Sequence, residues 1–451
     1  MLSRRHALMS TLFGAGYVGL RSLATGLPAS FLVNPRRALA DAPLPACASS
    51  AKAQYIIMST SGNGDPINAN APGTYDDPNI SHPGDATMAK TPITLAGKSY
   101  TAAAAWATLP QAVLDRTVFW HIMTGTPVHP KEPQVLRLMD VTKSDEMLPS
   151  LLAQQLAPCL GTIQSQPIAL GASSPSEGLT YSGEALPIVP PLALKATLLS
   201  PTTGALGAIT SLQQTRDQTL NQLYDLYKNG ATPAQQAYID SMVTSQAQIR
   251  NISQKLLGNL GMINDNLPAS QILAAVTLIQ MKVAPVITIH LPFGGDNHTD
   301  NGGGVPLGNE VTQTNASIQT LASLMTMLGT ATLNNAPLTD QVTFMSLNVF
   351  GRTIGPSNTH GRQHNPNHQV SITIGKPFTG GVIGGVTTFQ NDYGCQGIDS
   401  KTGGGSSSGD ITPAQTLASF GQTMLAAVGV DSATIATQIP LGKVITPALA
   451  A

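Results

Sequence analysis

The feature that most constrains this chain is a set of short β-branched apolar runs, each stopping abruptly in a glycine-bearing polar loop. The clearest is Val286-Ile-Thr-Ile-His-Leu291, which passes directly into Phe293-Gly-Gly-Asp-Asn-His-Thr-Asp-Asn301. Tyr55-Ile-Ile-Met58 leads in the same way into Ser59-Thr-Ser-Gly-Asn-Gly-Asp65, and Thr117-Val-Phe-Trp120 into His121-Ile-Met-Thr-Gly-Thr-Pro-Val-His129. Pro167-Ile-Ala-Leu170, Val342-Thr-Phe-Met-Ser-Leu347 and Val370-Ser-Ile-Thr-Ile374 complete the series. Runs of this length and branching read as buried strands. Stretches of helical composition separate them at about 102–114, 148–156, 269–281, 309–328 and 413–428. That alternation predicts an α/β fold: a mainly parallel central sheet with helices on both faces. Parallel strands deliver the loops beyond their carboxyl ends to one edge, where open α/β sheets bind ligands. The strand ends at residues 58, 120, 291 and 347 are therefore expected on the same edge.

The intervening segments are less regular. Residues 66–100 read as loop, 171–207 as an excursion over the surface, and 394–409 as a mobile Gly- and Ser-rich loop. Two long helical stretches, about 211–227 and 233–257, fall within a segment of about 208–282. It reads either as a helical insertion or cap, or as ordinary helices packing on the sheet.

The amino-terminal 40 residues read as an export signal of the twin-arginine kind. Arg4 and Arg5 precede a Gly-containing apolar stretch, and Ala38-Leu39-Ala40 supplies a cleavage site. Arg21 interrupts the apolar run, which leaves it too short for a membrane span of about 20 residues. Cleavage would leave a single domain of residues 41–451, periplasmic or secreted, without a transmembrane anchor. The signal holds five arginines and no acids, so that mature chain carries 18 basic against 24 acidic side chains, formally −6. With no basic face, nucleic acid is excluded as an expected partner. Cys47, Cys159 and Cys395 allow one disulfide in an oxidising compartment, without saying which two pair.

The candidate chemistry concentrates between His290 and His368, which hold five of the nine histidines. In an extended loop alternate side chains point the same way, so Asp296 and His298 can offer an oxygen and a nitrogen to one ion. His360, His364 and His368 recur every four residues, but Gly361 and Pro366 oppose a regular helix. A loop delivering His364 fits better. Asp65 lies beyond the first strand and can reach the same edge. The expected metal ligands are thus Asp65, Asp296, His298 and His364. Arg352 and Arg362 can each clamp an oxyanion through two donors or bind loop carbonyls. Ser61 and Thr124 are candidate hydroxyl nucleophiles, although hydroxyls are common in turns. His129, before a proline, is placed to line the same cleft. No G-x-S-x-G elbow, Walker loop or dinucleotide fingerprint occurs.

Taken together, the twin-arginine leader, Gly-Gly-Asp-x-His-x-Asp-Asn at 294–301, Phe-Gly-Arg-Thr at 350–353, Gly-Arg-x-His at 361–364 and Gly-Gly-Val-Ile-Gly at 380–384 resemble an exported family. It is the one called "domain of unknown function 1501", similar to the alkaline phosphatase and sulfatase superfamily. The resemblance covers about residues 50–430. It implies an alkaline phosphatase-like fold, a divalent metal such as Zn, Ca or Mg, and metal-assisted hydrolysis of small-molecule or polysaccharide phosphate or sulfate esters. Asp296, His298 and His364 occupy the positions of the family's acid and imidazoles. Where members have Ser-Glu and Gly-Arg-Asp-His, this chain has Asn348-Val349 and Gln363. Val349 removes a carboxylate that a second ion would need, so the resemblance implies one metal or none. The competing expectation is a non-catalytic binding or envelope-associated protein on the same fold.

Overall fold

The computed structural model describes residues 55–450 except 163, 172–177 and most of 199–253. Its centre is a seven-stranded sheet of β1 (Tyr55–Ser61), β2 (Thr117–Ile122), β3 (Ile168–Ala169), β4 (Val286–Ile289), β5 (Val342–Asn348), β6 (Gln369–Ile374) and β7 (Gly381–Ile383), in the order β7-β2-β6-β5-β1-β4-β3. β1 pairs in parallel with β5 and β4, β4 with β3, and β2 with β7. Only β6 runs against its neighbours β5 and β2. The strand ends at 58, 120, 291 and 347 do share one edge, as the alternation of strands and helices predicts. Because β6 is reversed, its beginning at Gln369 lies at that edge too.

Every residue of β1, β2, β4 and β5 is buried, which explains the continuous apolar runs: a parallel sheet has no solvent face. Alternation along each strand divides the core in two. Ile57, Phe119, Ile287 and Phe344 meet α2 (Pro268–Gln280) and α3 (Gly308–Thr330) on one face. Ile56, Met58, Val118, Trp120 and Met345 meet α1 (Leu148–Leu160) and α4 (Thr416–Ala427) on the other. Trp120 packs edge-on against Phe378 and Phe420 while its indole N–H donates to Thr373 Oγ1 at 3.0 Å. A large apolar ring is thus buried without an orphaned donor.

Several local expectations change. The helix expected over 102–114 is broken: Lys98–Ala103 is a strand pairing with Lys90–Leu95, and only Gln111–Leu114 is α-helical, after Pro110. β-hairpin pairing has overridden helical composition there, and it also gives structure to part of the loop expected over 66–100. The stretch read as a mobile loop at 394–409 joins short pairings, Val386–Phe389 with Asp392–Cys395 and Gly397–Ile398 with Gly405–Ser406. Of the expected cap, 211–253 lies largely outside the described residues, while α2 is a buried packing helix. Cys159 is disulfide-bonded, and Cys395 is free and buried.

Two fully buried histidines stack beside the sheet, His121 at the end of β2 and His368 just before β6, with ring centroids 5.1 Å apart. The Pro72 carbonyl 2.8 Å from His121 Nε2 requires a proton there, so Nδ1 accepts from His368 Nε2–H at 2.9 Å. His368 Nδ1 in turn accepts from Asn68 Nδ2 at 3.3 Å. Both rings are neutral and satisfied. Burial drives His121 down to about 4, and burial followed by the His121 charge drives His368 well below its ordinary value. Unfolding releases both rings to an ordinary value near ~6.5. Their contribution is therefore complete above pH ~6.5 and is lost as pH falls toward the folded values. We expect denaturant unfolding free energies to drop by roughly 1.4 kcal/mol per pH unit per ring across the lower part of this interval. A flat profile from pH 6.5 to 4.5 would contradict the assignment.

Candidate metal centre

Three loops meet at the carboxyl edge. The loop after β2 brings His129, the loop after β4 brings Asp296 and His298, and the segment between β5 and β6 brings Arg352 and His364. A two-residue pairing of Gly351–Arg352 with His364–Asn365 sets Arg352 opposite His364. Among the described residues, His129, Asp296, His298 and His364 form a cluster in which one potential ligand atom from each lies within 4.8 Å of all the others.

The protonation of the three rings follows from their outer partners. His129 Nδ1 lies 2.6 Å from the Gly62 carbonyl, and His364 Nδ1 lies 2.6 Å from the Pro127 carbonyl. His298 Nδ1 lies 2.7 Å from Gln363 Oε1. All three acceptors demand a proton on Nδ1, so in each neutral ring the Nε2 lone pair faces inward. Those atoms sit 3.3 Å (His129), 3.0 Å (His298) and 3.5 Å (His364) from Asp296 carboxylate oxygens. Four acceptors thus face one another. His364 Nε2 is moreover buried without a hydrogen-bond partner. Such crowding is repulsive unless a proton or a cation lies among the four atoms, and a fixed Nδ1 partner with an inward Nε2 is how metal-ligating histidines are oriented. The donor set fits a divalent ion. Three nitrogens and one oxygen suit Zn or another borderline transition metal, whereas Ca and Mg prefer oxygen alone.

Arg352 fixes the carboxylate. Its Nη2 donates to Asp296 Oδ1 at 2.8 Å and to the Asn63 carbonyl, and its Nε donates to the Gly64 carbonyl at 2.5 Å. Burial would raise Asp296, but the Arg352 hydrogen bond and charge, with His129 and His298, outweigh it and hold the acid below its ordinary value. Burial lowers His364, and the Arg352 and His129 charges add to that against the Pro127 carbonyl. Beneath the cluster, Phe350 stacks on His364 at 4.3 Å and meets His129 edge-on at 4.9 Å. Gly64, at φ +68°, makes this possible: a Cβ there would fall 2.0 Å from the Phe350 ring.

Of the expected ligands, Asp296, His298 and His364 come together. Asp65 stands outside the cluster: it is fully buried, with Oδ1 accepting from the Ser61 hydroxyl at 2.8 Å and Oδ2 from the Phe293 N–H at 2.9 Å. Burial raises its carboxyl against those bonds and the His290 and Arg352 charges. The fourth cluster member is His129, which the sequence placed only near the cleft. Its signal was a histidine in a polar loop beyond a buried strand, the same signal that marked Asp65. Ser61 and Thr124 are both buried. Val349 is buried in the core with its N–H on the Ser61 carbonyl at 2.8 Å.

Arg362 points elsewhere. Its Nε meets Glu310 Oε2 at 2.6 Å, and its Nη atoms reach the carbonyls of Thr353 at 3.0 Å and Ser81 at 2.8 Å. Both charged partners are 2% exposed. Removing one member of a buried ion pair typically costs about 3–5 kcal/mol. We expect that loss in urea unfolding of Arg362→Met, with partial recovery when Glu310→Leu is added. An unchanged stability would return Arg362 to the list of free anion clamps.

The chain was compared with models of protein families, with curated proteins and with solved structures, and it matches none of them.

Proposed function

We propose that this is an exported, alkaline phosphatase- or sulfatase-like protein that holds one divalent transition metal through His129, Asp296, His298 and His364, and that it hydrolyses phosphate or sulfate esters. The observation that carries the metal is the convergence of three inward Nε2 lone pairs on an ionised carboxylate, one of them buried without a partner. His129, Asp296, His298 and His364 would hold an ion that, when bound, would supply Lewis acidity toward an ester oxygen or a water. Arg352 keeps Asp296 ionised and aimed, and Phe350 fixes two of the rings. With Ser61 bonded to Asp65 and Thr124 buried, neither hydroxyl is presented as a nucleophile, which favours water in that role. Val349 supports a count of one ion, since the position has no carboxylate for a second.

The protein isolated from its own host should carry about one transition-metal ion per chain by elemental analysis, and His298→Ala and His364→Ala should lose it. The loaded wild type should cleave p-nitrophenyl phosphate or sulfate slowly, and these variants not at all. Metal content unchanged by both substitutions would end the proposal. A second reading, a non-catalytic binding protein, is favoured by the commitment of Arg352 and Arg362 to protein acceptors. Retained metal with no ester turnover would select it.

Export is supported by the paired arginines and A-x-A site and by the Cys159 disulfide, a bond that persists in oxidising compartments. Among the described residues no helix is long and apolar enough to cross a membrane. Amino-terminal sequencing of the periplasmic or secreted protein should begin at Asp41. Leu44-Pro-Ala-Cys47 loosely resembles a lipidation box, and a lipid-bearing start at Cys47 would instead indicate an anchored protein.

A further inference from the structure

We infer that Gln363 is the positioning residue that sets the proton on His298, and that its neutral amide tunes how tightly the centre binds its ion. The inference rests on the metal reading above and deepens it. Of the three acceptors that hold the Nδ1 protons, those of His129 and His364 are main-chain carbonyls, of Gly62 and Pro127. Only the Nδ1 proton of His298 is held by a side chain. The centre therefore has one second partner whose charge is written directly in the sequence.

The Gln363 amide is fixed in direction. Its Nε2 points to the carbonyl of His298 itself at 3.4 Å, which leaves Oε1 facing His298 Nδ1 at 2.7 Å. Reversing the amide would set two acceptors against each other at the His298 carbonyl. Its backbone is held as well. The Gln363 N–H donates to Thr353 Oγ1 at 2.8 Å, the Gln363 carbonyl accepts from the Thr353 N–H at 2.9 Å, and Thr353 Oγ1 donates to Asn358 Oδ1 at 2.7 Å. A residue so anchored holds the His298 ring while its own side chain remains exposed to solvent.

The chemistry of an amide at this place differs from that of a carboxylate. A carboxylate accepting the Nδ1 proton makes the imidazole a stronger donor at Nε2, and such outer partners typically change metal affinity by about 10–100-fold. Gln363 supplies the orientation without the charge. With Asp296 as the only carboxylate in the cluster, and Arg352 already bonded to it, the ligands leave the charge of a divalent ion largely uncompensated. Gln363 would thus leave an ion held there more electron-poor than a carboxylate at the same place would.

The test uses the full-length mature protein with Zn and Co as probes. Histidine-selective nitrogen NMR of the metal-free wild type should show His298 protonated on Nδ1. Gln363→Leu should lose that preference, bind Zn about 10–100-fold more weakly in competition titrations, and change the visible spectrum of the Co form. Gln363→Glu should restore the Nδ1 tautomer and bind Zn more tightly than the wild type. Thermal unfolding of the metal-free variants should match the wild type, which a merely structural role for Gln363 would not allow. Wild-type affinity in Gln363→Leu, or a His298 proton on Nε2 in the wild type, overturns the inference. If the wild type binds neither ion, the metal reading itself falls, and the NMR comparison alone still decides whether Gln363 sets the tautomer.

Discussion

The buried Arg352 guanidinium is the interaction on which the carboxyl edge depends. A cation removed from water needs its charge and its five donors answered. Asp296 answers the charge, while the carbonyls of Asn63 and Gly64 take up further donors. One side chain from the segment after β5 thus ties together the loops after β1 and β4. Its own backbone is held by Asn68, which accepts from the Arg352 N–H at 3.0 Å and donates to the Arg352 carbonyl at 2.7 Å. Asn68 is also the end of the neutral chain through His368 and His121. The cluster around Asp296 and the buried histidine pair therefore share one anchor.

The same logic of mutual support runs around the cluster. His129 is oriented by the loop after β1, His364 by the loop that carries His129, and His298 by the residue preceding His364. No ligand's Nδ1 proton is held by the loop that carries that ligand. Each ring is therefore correctly aimed only when a neighbouring loop is in place, and the edge forms as a unit. Preorganisation of this kind lowers the cost of gathering four ligands around an ion.

Much of this was legible in the residues. The buried parallel strands announced themselves as unbroken apolar runs, because a strand covered on both faces has no polar alternation. Loops beyond such strands are brought to one edge by topology alone, which is why Asp296, His298 and His364 could be grouped although the last is 66 residues beyond His298. Asp65 obeys the same rule yet stays outside the cluster, since position at an edge does not fix the depth to which a side chain is buried. His129 was harder to promote to a ligand because its aim depends on the Gly62 carbonyl, a partner that leaves no mark in sequence. Arg362 shows the reverse: its residue type suggests an anion clamp, and only its burial against Glu310 assigns it to the scaffold. The helix expected over 102–114 fell to a long-range competitor, the strand pairing of Lys90–Leu95 with Lys98–Ala103, which composition does not reveal.

The reversal of β6 has a consequence for how such a site can change. Since β5 ends and β6 begins at the same edge, the segment between Asn348 and Gln369 leaves the sheet and rejoins it without crossing either helical layer. That one excursion carries Phe350, Arg352, Arg362, Gln363, His364 and His368. Its length and content are decoupled from the hydrophobic framework, apart from the residues that anchor it. A lineage can therefore rewrite one of the four cluster members and much of their support, adding or deleting donors, within a single contiguous stretch of coding sequence while inheriting the sheet unchanged.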